Sequence, residues 1–136
     1  MLSIAYLLTW PENNCYVFNS AKERRVTKIP QPGTPVRGSK SGAPVMALLD
    51  LLGRRWSMGV LWTLCEGGPA TFRDLQKRCE TISPAVLNTR LKELREARLV
   101  IHTGSGYLAT DLGQELYAHL TPLGAWAKLW AKALKR

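Results

Sequence analysis

The sequence predicts a mainly α-helical fold with one small β-hairpin. Three observations support this: apolar residues recur at steps of three and four after residue 43, glycine and proline divide this pattern into short segments, and a β-prone run stands near residue 100. The 136 residues, 46% of them hydrophobic, are enough for one compact core but too few for two ordinary domains. We therefore expect one folded domain over residues 43–136, after a flexible N-terminal tail over residues 1–42.

The tail assignment depends on residues 22–42, where prolines and glycines stand among basic and small polar residues. Two interpretations remain open, a basic arm that contacts a polyanion and a solvated extension. Residues 2–10 are apolar enough for a secretory signal, but no lysine or arginine precedes them and no small-residue cleavage site follows.

Two helices are predicted before residue 68. The first follows Pro44 and ends at Gly53, and the second follows Gly53 and ends at Gly67. Their apolar positions are Val45, Leu48, Leu49 and Leu52 in the first helix, and Trp56, Val60, Leu61 and Leu64 in the second.

Capping residues mark the next two helices. Thr71 stands three residues before Asp74, close to a capping box, and opens a short helix that extends to about Arg78. Ser83 and Pro84 form a strong helix start, because the serine oxygen accepts an exposed amide and proline gives up a donor that had no partner. This fourth helix extends to about residue 97.

A hairpin and a long helix complete the pattern. The β-prone run Leu99–Ile101 is followed by a turn at 104–106, and residues 107–110 return antiparallel. A helix from Asp111 carries an apolar stripe that predicts pairing with a second copy. The predicted dimer contacts are Leu116, Leu120, Leu123, Trp126 and Trp130. This order of elements is a winged helix-turn-helix, in which the hairpin is the wing, with a long C-terminal dimerisation helix.

The charge balance favours a polyanionic partner. The net charge is +9, and residues after 40 carry 13 basic against 8 acidic side chains. Charge alone does not separate DNA from RNA or an acidic membrane surface. The predicted helix-turn-helix favours double-stranded DNA as the partner, because the second helix of this motif enters the major groove.

The fourth helix has a face suited to a groove. Leu87, Leu91 and Leu94 project to one side, whereas Asn88 and Thr89, which can bond base edges, lie on the other. A polar face that only meets solvent is the alternative. The predicted DNA contacts are Ser83, Ala85, Asn88, Thr89, Arg90 and Lys92 at the fourth helix, and Arg73, Lys77 and Arg78 on the third.

An ordered set of short motifs extends over residues 43–131. These motifs are Pro44-Val45, Leu52-Gly53-Arg54-Arg55-Trp56, Gly67-Gly68-Pro69, Thr71-Phe72-Arg73-Asp74-Leu75, Ile82-Ser83-Pro84, Val86-Leu87, Arg90-Leu91, Leu94, Leu99-Val100, the segment 107–113, and Trp126 to Trp130. In this order they resemble the HxlR-type winged-helix regulators. The resemblance implies a dimeric bacterial transcription factor. Two departures stand out: Ala43 replaces a cysteine that some members use for sensing, and the wing, residues 101–107, is short and weakly basic.

The remaining reactive side chains predict neither an enzyme nor a metal site. Cys15, Cys65 and Cys79 are an odd number without paired spacing, which argues against a disulfide framework and for the cytoplasm. Cys79 points inward, and Cys65 is the better candidate for a reactive thiol. His102 and His119 share no metal-ligand spacing. We expect no cofactor, no catalytic residue and no membrane span, and the sequence identifies no effector.

The sequence therefore predicts a sequence-specific DNA-binding transcriptional regulator that acts as a homodimer on promoter DNA. A winged-helix module that binds protein instead of DNA is the main alternative. A small-molecule-binding or enzymatic protein on the same scaffold would need a polar cavity and clustered catalytic groups, which the sequence does not indicate.

Overall fold

The computed structural model of the protein describes residues 29–79 and 81–135. The chain divides into two compact units, Met1–Arg55 and Trp56–Arg136. The described elements are α1 (Pro44–Leu52), α2 (Ser57–Gly67), α3 (Phe72–Arg78), α4 (Pro84–Glu96), β1 (Val100–Thr103), β2 (Gly106–Ala109) and α5 (Asp111–Leu134). The predicted fold class, mainly α with a small hairpin, is confirmed.

In the first unit, the described residues form a hydrogen-bonded loop followed by α1. The Gly33 amide donates to the Gly42 carbonyl at 2.8 Å, and Val36 and Ser39 exchange backbone hydrogen bonds inside this closure. The loop belongs to the segment predicted to be a flexible tail, and its residues from 33 to 42 have a defined backbone path. Residues 1–28 of that tail lie outside the described residues, and the domain boundary at residue 43 stays a prediction.

Leucine side chains form the core of the second unit. Leu61 and Leu64 of α2 are fully buried, as is Leu75 of α3. The buried residues of α4 are Leu87, Leu91, Glu93 and Leu94. Burying each leucine side chain contributes about 1.5–3 kcal/mol. This burial fixes which side of α4 faces inward, and with it the side that faces solvent.

The wing is a two-stranded antiparallel sheet with a backbone link to the segment before α3. Val100 pairs with Ala109 and Thr103 with Gly106, so residues 104 and 105 form the turn. The Ala70 amide donates to the Tyr107 carbonyl at 3.0 Å, and the Tyr107 amide donates to the Ala70 carbonyl at 2.7 Å. These two hydrogen bonds hold the second strand of the wing against the start of α3.

The helix α5 begins at a cap that joins three elements. The Thr110 hydroxyl accepts from the Gly113 amide at 3.1 Å and donates to the Arg98 carbonyl at 2.7 Å. Gly113 lies against the Leu99 carbonyl, where a side chain would not fit. The start of α5 is therefore fixed to the turn between α4 and the wing.

Further along, α5 packs on α2 through one tryptophan. The Trp62 and Tyr117 rings meet edge to face, with centroids 5.1 Å apart. A Cβ at Gly124 would lie 3.2 Å from the Trp62 ring, so the missing side chain allows the close approach. Pro122 lies inside the 24-residue helix. Among the described helices, none is both long and apolar enough to cross a lipid bilayer.

Among the glycines of the wing, Gly106 should be the one that tolerates a side chain least. Its φ is +119°, and a Cβ there would lie 2.5 Å from the Ala70 carbonyl oxygen. We expect Gly106→Ala to lower the free energy of unfolding by about 2–4 kcal/mol, because it adds backbone strain and a clash with backbone atoms. Gly104→Ala, two residues away with open space around it, should change it by less than about 0.5 kcal/mol. Urea denaturation of both variants measures the difference, and equal losses would show that the Ala70 contact is not tight.

Candidate nucleic-acid interface

The exposed face of α4 carries the predicted reading residues. Ala85, Asn88, Thr89 and Lys92 are all exposed, opposite the buried leucines. Arg95 is exposed on the same face, at about 20° from Asn88 when residues are spaced by 100°. The structure brings these five side chains together on one solvent-facing surface.

The first turn of α4 begins at a serine cap. Ser83 has extended backbone angles, and its Oγ accepts from the Val86 amide at 3.3 Å. Pro84 occupies the first helical position, where no intrahelical partner for an amide exists. The cap leaves the positive end of the helix dipole next to the exposed Ala85.

The Thr89 hydroxyl has a defined hydrogen-bonding capacity. Its Oγ1 donates to the Ala85 carbonyl at 3.0 Å, within the helix. The hydroxyl hydrogen is thus used, and the oxygen lone pairs remain available to accept. Thr89 can therefore accept from an exocyclic amino group of a base, or present its methyl group to thymine.

Arg90 lies apart from this surface. Its guanidinium pairs with the Glu93 carboxylate at 2.7 Å, and both side chains are largely buried. Arg90 is three residues after Leu87 and four before Leu94, so the helical period directs it to the core side of α4. Of the residues predicted at the fourth helix, it is the one that the structure does not place on the exposed face.

A capping box orients the basic residues of α3. The Thr71 Oγ1 accepts from the Asp74 amide at 3.1 Å, and the Asp74 carboxylate accepts from the Thr71 amide at 3.2 Å. Arg73 and Lys77 are exposed on this helix. Hydrogen bonding by the Thr71 side chain, and then by its backbone amide, lowers the pKa of the Asp74 carboxyl.

Arg78 is exposed but lies over the end of α2. A Cβ at Gly67 would lie 2.5 Å from the Arg78 Nη1, so the guanidinium occupies the space that glycine leaves open. A cation next to the carbonyl end of a helix is favourably placed. Arg78 is thus exposed to solvent while its guanidinium packs against the end of α2.

Two features of the surface lie outside the set of DNA contacts predicted from the sequence. Arg95 is one of the basic residues that the sequence places on the fourth helix, and the same 100° projection that selects Asn88 and Lys92 puts it on their face. The His102 ring stacks on the Tyr107 ring on the wing, with centroids 4.3 Å apart and an interplanar angle of 9°. This stack depends on the register of the two strands, which a single sequence does not define.

The predicted dimer residues on α5 differ in exposure. Leu123, Trp126 and Trp130 are 54%, 57% and 53% exposed, whereas Leu120 is only 8% exposed. Leu116 is half-buried. Leu120 therefore belongs mainly to the core of its own chain, and the other apolar side chains form the unpartnered stripe.

Neither thiol of the second unit has the features of a reactive cysteine. The Cys65 Sγ donates to the Gly113 carbonyl at 3.8 Å, and burial raises the pKa of the Cys65 thiol. A raised pKa lowers the fraction of the nucleophilic thiolate. Cys79 is buried, as predicted. Within the described ranges, no group of three or more histidine, cysteine, aspartate or glutamate side chains could hold a metal ion.

Comparison with known proteins identifies the family. The model of the HxlR-like helix-turn-helix family matches residues 51–135, more than half of the chain. The chain belongs to this family. Membership indicates transcriptional regulation through DNA binding, and it confirms the resemblance found in the sequence.

Individual relatives agree with this family. The chain is similar to an uncharacterized HTH-type transcriptional regulator of Halalkalibacterium halodurans, at 36% identity over 52 residues, which is 38% of this chain and 46% of that protein. The crystal structure of quinone-bound YodB from B. subtilis matches with a TM-score of 0.59 and 30% identity, over 62% of this chain and 96% of YodB. A possible HxlR family transcriptional factor from Thermoplasma volcanium matches with a TM-score of 0.59 and 26% identity, over 65% and 85% of the two chains.

The Asp74 carboxylate should stabilise the protein in a pH-dependent way. Because its pKa is lowered in the folded state, its contribution is complete above the ordinary carboxyl pKa and is lost as the pH falls through the lowered value. We expect Asp74→Asn to be less stable than wild type at pH 7, with a difference that disappears in acid.

Urea denaturation of both proteins at a series of pH values measures this difference. Glu115→Gln makes the same charge change at an exposed site on α5 and is the control. A stability difference for Asp74→Asn that stays constant down to the lowest pH would contradict the capping role of the carboxylate.

Proposed function

We propose that this chain binds promoter DNA sequence-specifically as a homodimer, with α4 in the major groove. The observation that carries the proposal is the exposed face of α4, where Asn88, Thr89 and Lys92 lie opposite three buried leucines. In a helix-turn-helix, the second helix enters the groove and its N-terminal residues approach the bases. The family supplies the class of function, and this face supplies the candidate contacts.

Asn88 and Thr89 are proposed to read bases. An asparagine amide pairs with adenine through two hydrogen bonds, and a threonine oxygen whose hydrogen is already donated accepts from cytosine or adenine. Ala85 has only a methyl group, which allows the helix to approach closely. Lys92 lies further along the same face and reaches a guanine edge or a phosphate.

Arg73, Lys77 and Ser83 are proposed to contact phosphates. Arg73 and Lys77 are exposed on α3, the helix that crosses the DNA backbone in this fold. Ser83 lies at the positive end of α4, where an anion is stabilised. Arg78 can contribute charge from its place over Gly67, and Arg90, paired with Glu93, serves mainly to hold the inner side of α4.

The exposed stripe of α5 is proposed to join two copies. Leu123, Trp126 and Trp130 recur on one side of the helix and expose more than half of their surface. Large aromatic side chains that remain exposed in one chain are typical anchors of an interface. A twofold dimer would present two α4 helices to a pseudo-palindrome with half-site centres about 10 base pairs, or a multiple of that, apart.

The proposed reading role predicts different effects for two alanine variants. Asn88→Ala should cost about 1–3 kcal/mol at a DNA site selected from random sequence, with a smaller loss on a scrambled duplex. Lys77→Ala should weaken binding to both duplexes and reduce the salt slope by roughly two units, one for each protomer of the dimer. Titration of both variants and the wild type against both duplexes at several salt concentrations measures these effects.

Equal losses on both duplexes for Asn88→Ala would remove α4 from the reading role. If neither variant changed binding, the surface would serve another partner, and a winged-helix module that binds protein would become the better interpretation. Arg90→Gln is a separate control, because its side chain is directed away from the exposed face: it should reduce stability more than it changes the salt slope.

The proposed dimer predicts that a charge introduced on α5 separates the two chains only if it lies within the apolar stripe. Leu123→Asp should convert the dimer to a monomer, because it places a charge within the apolar stripe. Ala125→Asp introduces the same charge at an exposed residue about 160° around the helix from Leu123, and it should leave the dimer intact. Sedimentation velocity at micromolar concentration measures both. A monomeric wild type, or equal dissociation by the two variants, would contradict a dimer built on this stripe.

A further inference from the structure

The turn between α4 and the wing has a backbone that favours glycine but carries arginine. The Arg98 amide donates to the Arg95 carbonyl at 3.0 Å, and the Leu99 amide donates to the Leu94 carbonyl at 3.0 Å. These two hydrogen bonds form a Schellman motif, whose residue after the cap adopts a left-handed conformation. Arg98 has a φ of +61°. A side chain in this conformation brings Cβ close to the backbone, which is why glycine is usual there.

The position of Arg98 is fixed from a second side. The Thr110 hydroxyl donates to the Arg98 carbonyl at 2.7 Å, and the Thr110 amide donates to the Leu99 carbonyl at 3.0 Å. Thr110 is also the cap of α5. The Arg98 side chain is exposed and leaves the backbone from a point that α4, β1 and α5 all hold in place.

Arg98 also supplies charge where the wing has none. Residues 99–110 contain no lysine or arginine, and His102 is their only basic side chain. On the other side of the turn, Lys92 and Arg95 are exposed on α4. Arg98 therefore adds an exposed positive charge along the chain between the basic residues of α4 and a wing that carries no lysine or arginine.

We propose that Arg98 contacts a DNA phosphate between the major-groove helix and the wing, and so positions the wing on the duplex. This inference rests on the proposed function. A guanidinium held at a rigid backbone point binds a phosphate oxygen pair with little loss of freedom. The protein keeps arginine where glycine would be more stable because the phosphate contact needs it. Arg98 also interacts within the protein, so binding and stability must be measured together.

The test compares Arg98→Gly, Arg98→Lys and wild type in the full chain. Replacement by glycine should raise the Tm by about 2–4 °C, because it removes the left-handed strain. The same change should weaken binding to both selected and scrambled duplexes roughly 10- to 100-fold at moderate salt and reduce the salt slope by roughly two units, one for each protomer of the dimer. Arg98→Lys keeps the charge and the strain, and it should stay near wild type in both slope and Tm. Lys128→Ala, an exposed lysine on α5, is the matched control for charge loss and should not change the slope.

Three results would overturn the inference. If Arg98→Gly bound DNA with the wild-type slope, the arginine would not contact phosphate. If its Tm fell, Arg98 would be retained for its contacts within the protein. If Arg98→Lys lost as much slope as Arg98→Gly, the charge would not be the deciding property. Failure of the proposed function looks different: the wild type itself would bind neither duplex in a salt-dependent way.

Discussion

The arrangement of the second unit depends on the two hydrogen bonds made by the Thr110 hydroxyl. The hydroxyl oxygen accepts from the Gly113 amide at the start of α5 and donates to the Arg98 carbonyl after the end of α4. Thr110 itself directly follows the second strand of the wing. One oxygen thus joins the helix proposed to read DNA, the hairpin beside it and the helix proposed to pair two chains. If this hydroxyl were removed, a carbonyl and an amide would lose their partners at once. The Thr110 amide would still donate to the Leu99 carbonyl, but the hydrogen bond from the start of α5 to Arg98 would be lost.

Small residues determine how closely the same elements approach. Gly106 allows the wing to lie against Ala70, Gly113 allows α5 to lie against Leu99, and Gly124 admits the Trp62 ring. The buried leucines supply most of the favourable free energy of folding. Leucine packing alone, however, allows more than one relative orientation of the helices and the wing. Backbone hydrogen bonds and the close approaches at these glycines restrict the orientation of the elements. Because both kinds of contact are satisfied by the same arrangement, the exposed face of α4 has one orientation.

The helices and the wing could be predicted from the sequence because their signals are local. Ser83 with Pro84 and Thr71 with Asp74 are caps that operate within one turn, and both have the expected hydrogen bonds in the structure. The exposed face of α4 followed from the spacing of its leucines. Each of these predictions needed only the helical period and the chemistry of neighbouring residues.

Features that depend on distant contacts could not be predicted in this way. Arg90 belongs to the inner side of α4, but its pairing with a buried Glu93 carboxylate requires the surrounding core to be known. The place of Arg78 over Gly67 depends on how α3 packs on α2, and the pairing of Ala70 with Tyr107 joins residues far apart in the chain. The burial of Leu120 shows that an apolar stripe alone does not divide a helix between its own core and a partner.

Pro122 divides α5 into two stretches with different constraints. Because proline has no amide hydrogen, it cannot complete the helix bond to the Ala118 carbonyl, and the ladder of hydrogen bonds is interrupted there. Before it, Tyr117 and Leu120 hold the helix to its own chain, and after it, Trp126 and Trp130 face outward. Gly124 still lies against the Trp62 ring, but in the proposed dimer substitutions at Trp126 and Trp130 would alter the angle at which two chains meet without moving α4. Substitutions on α5 could therefore change the distance between the two reading helices, while substitutions on α4 changed the bases that each helix reads. The two properties could evolve separately.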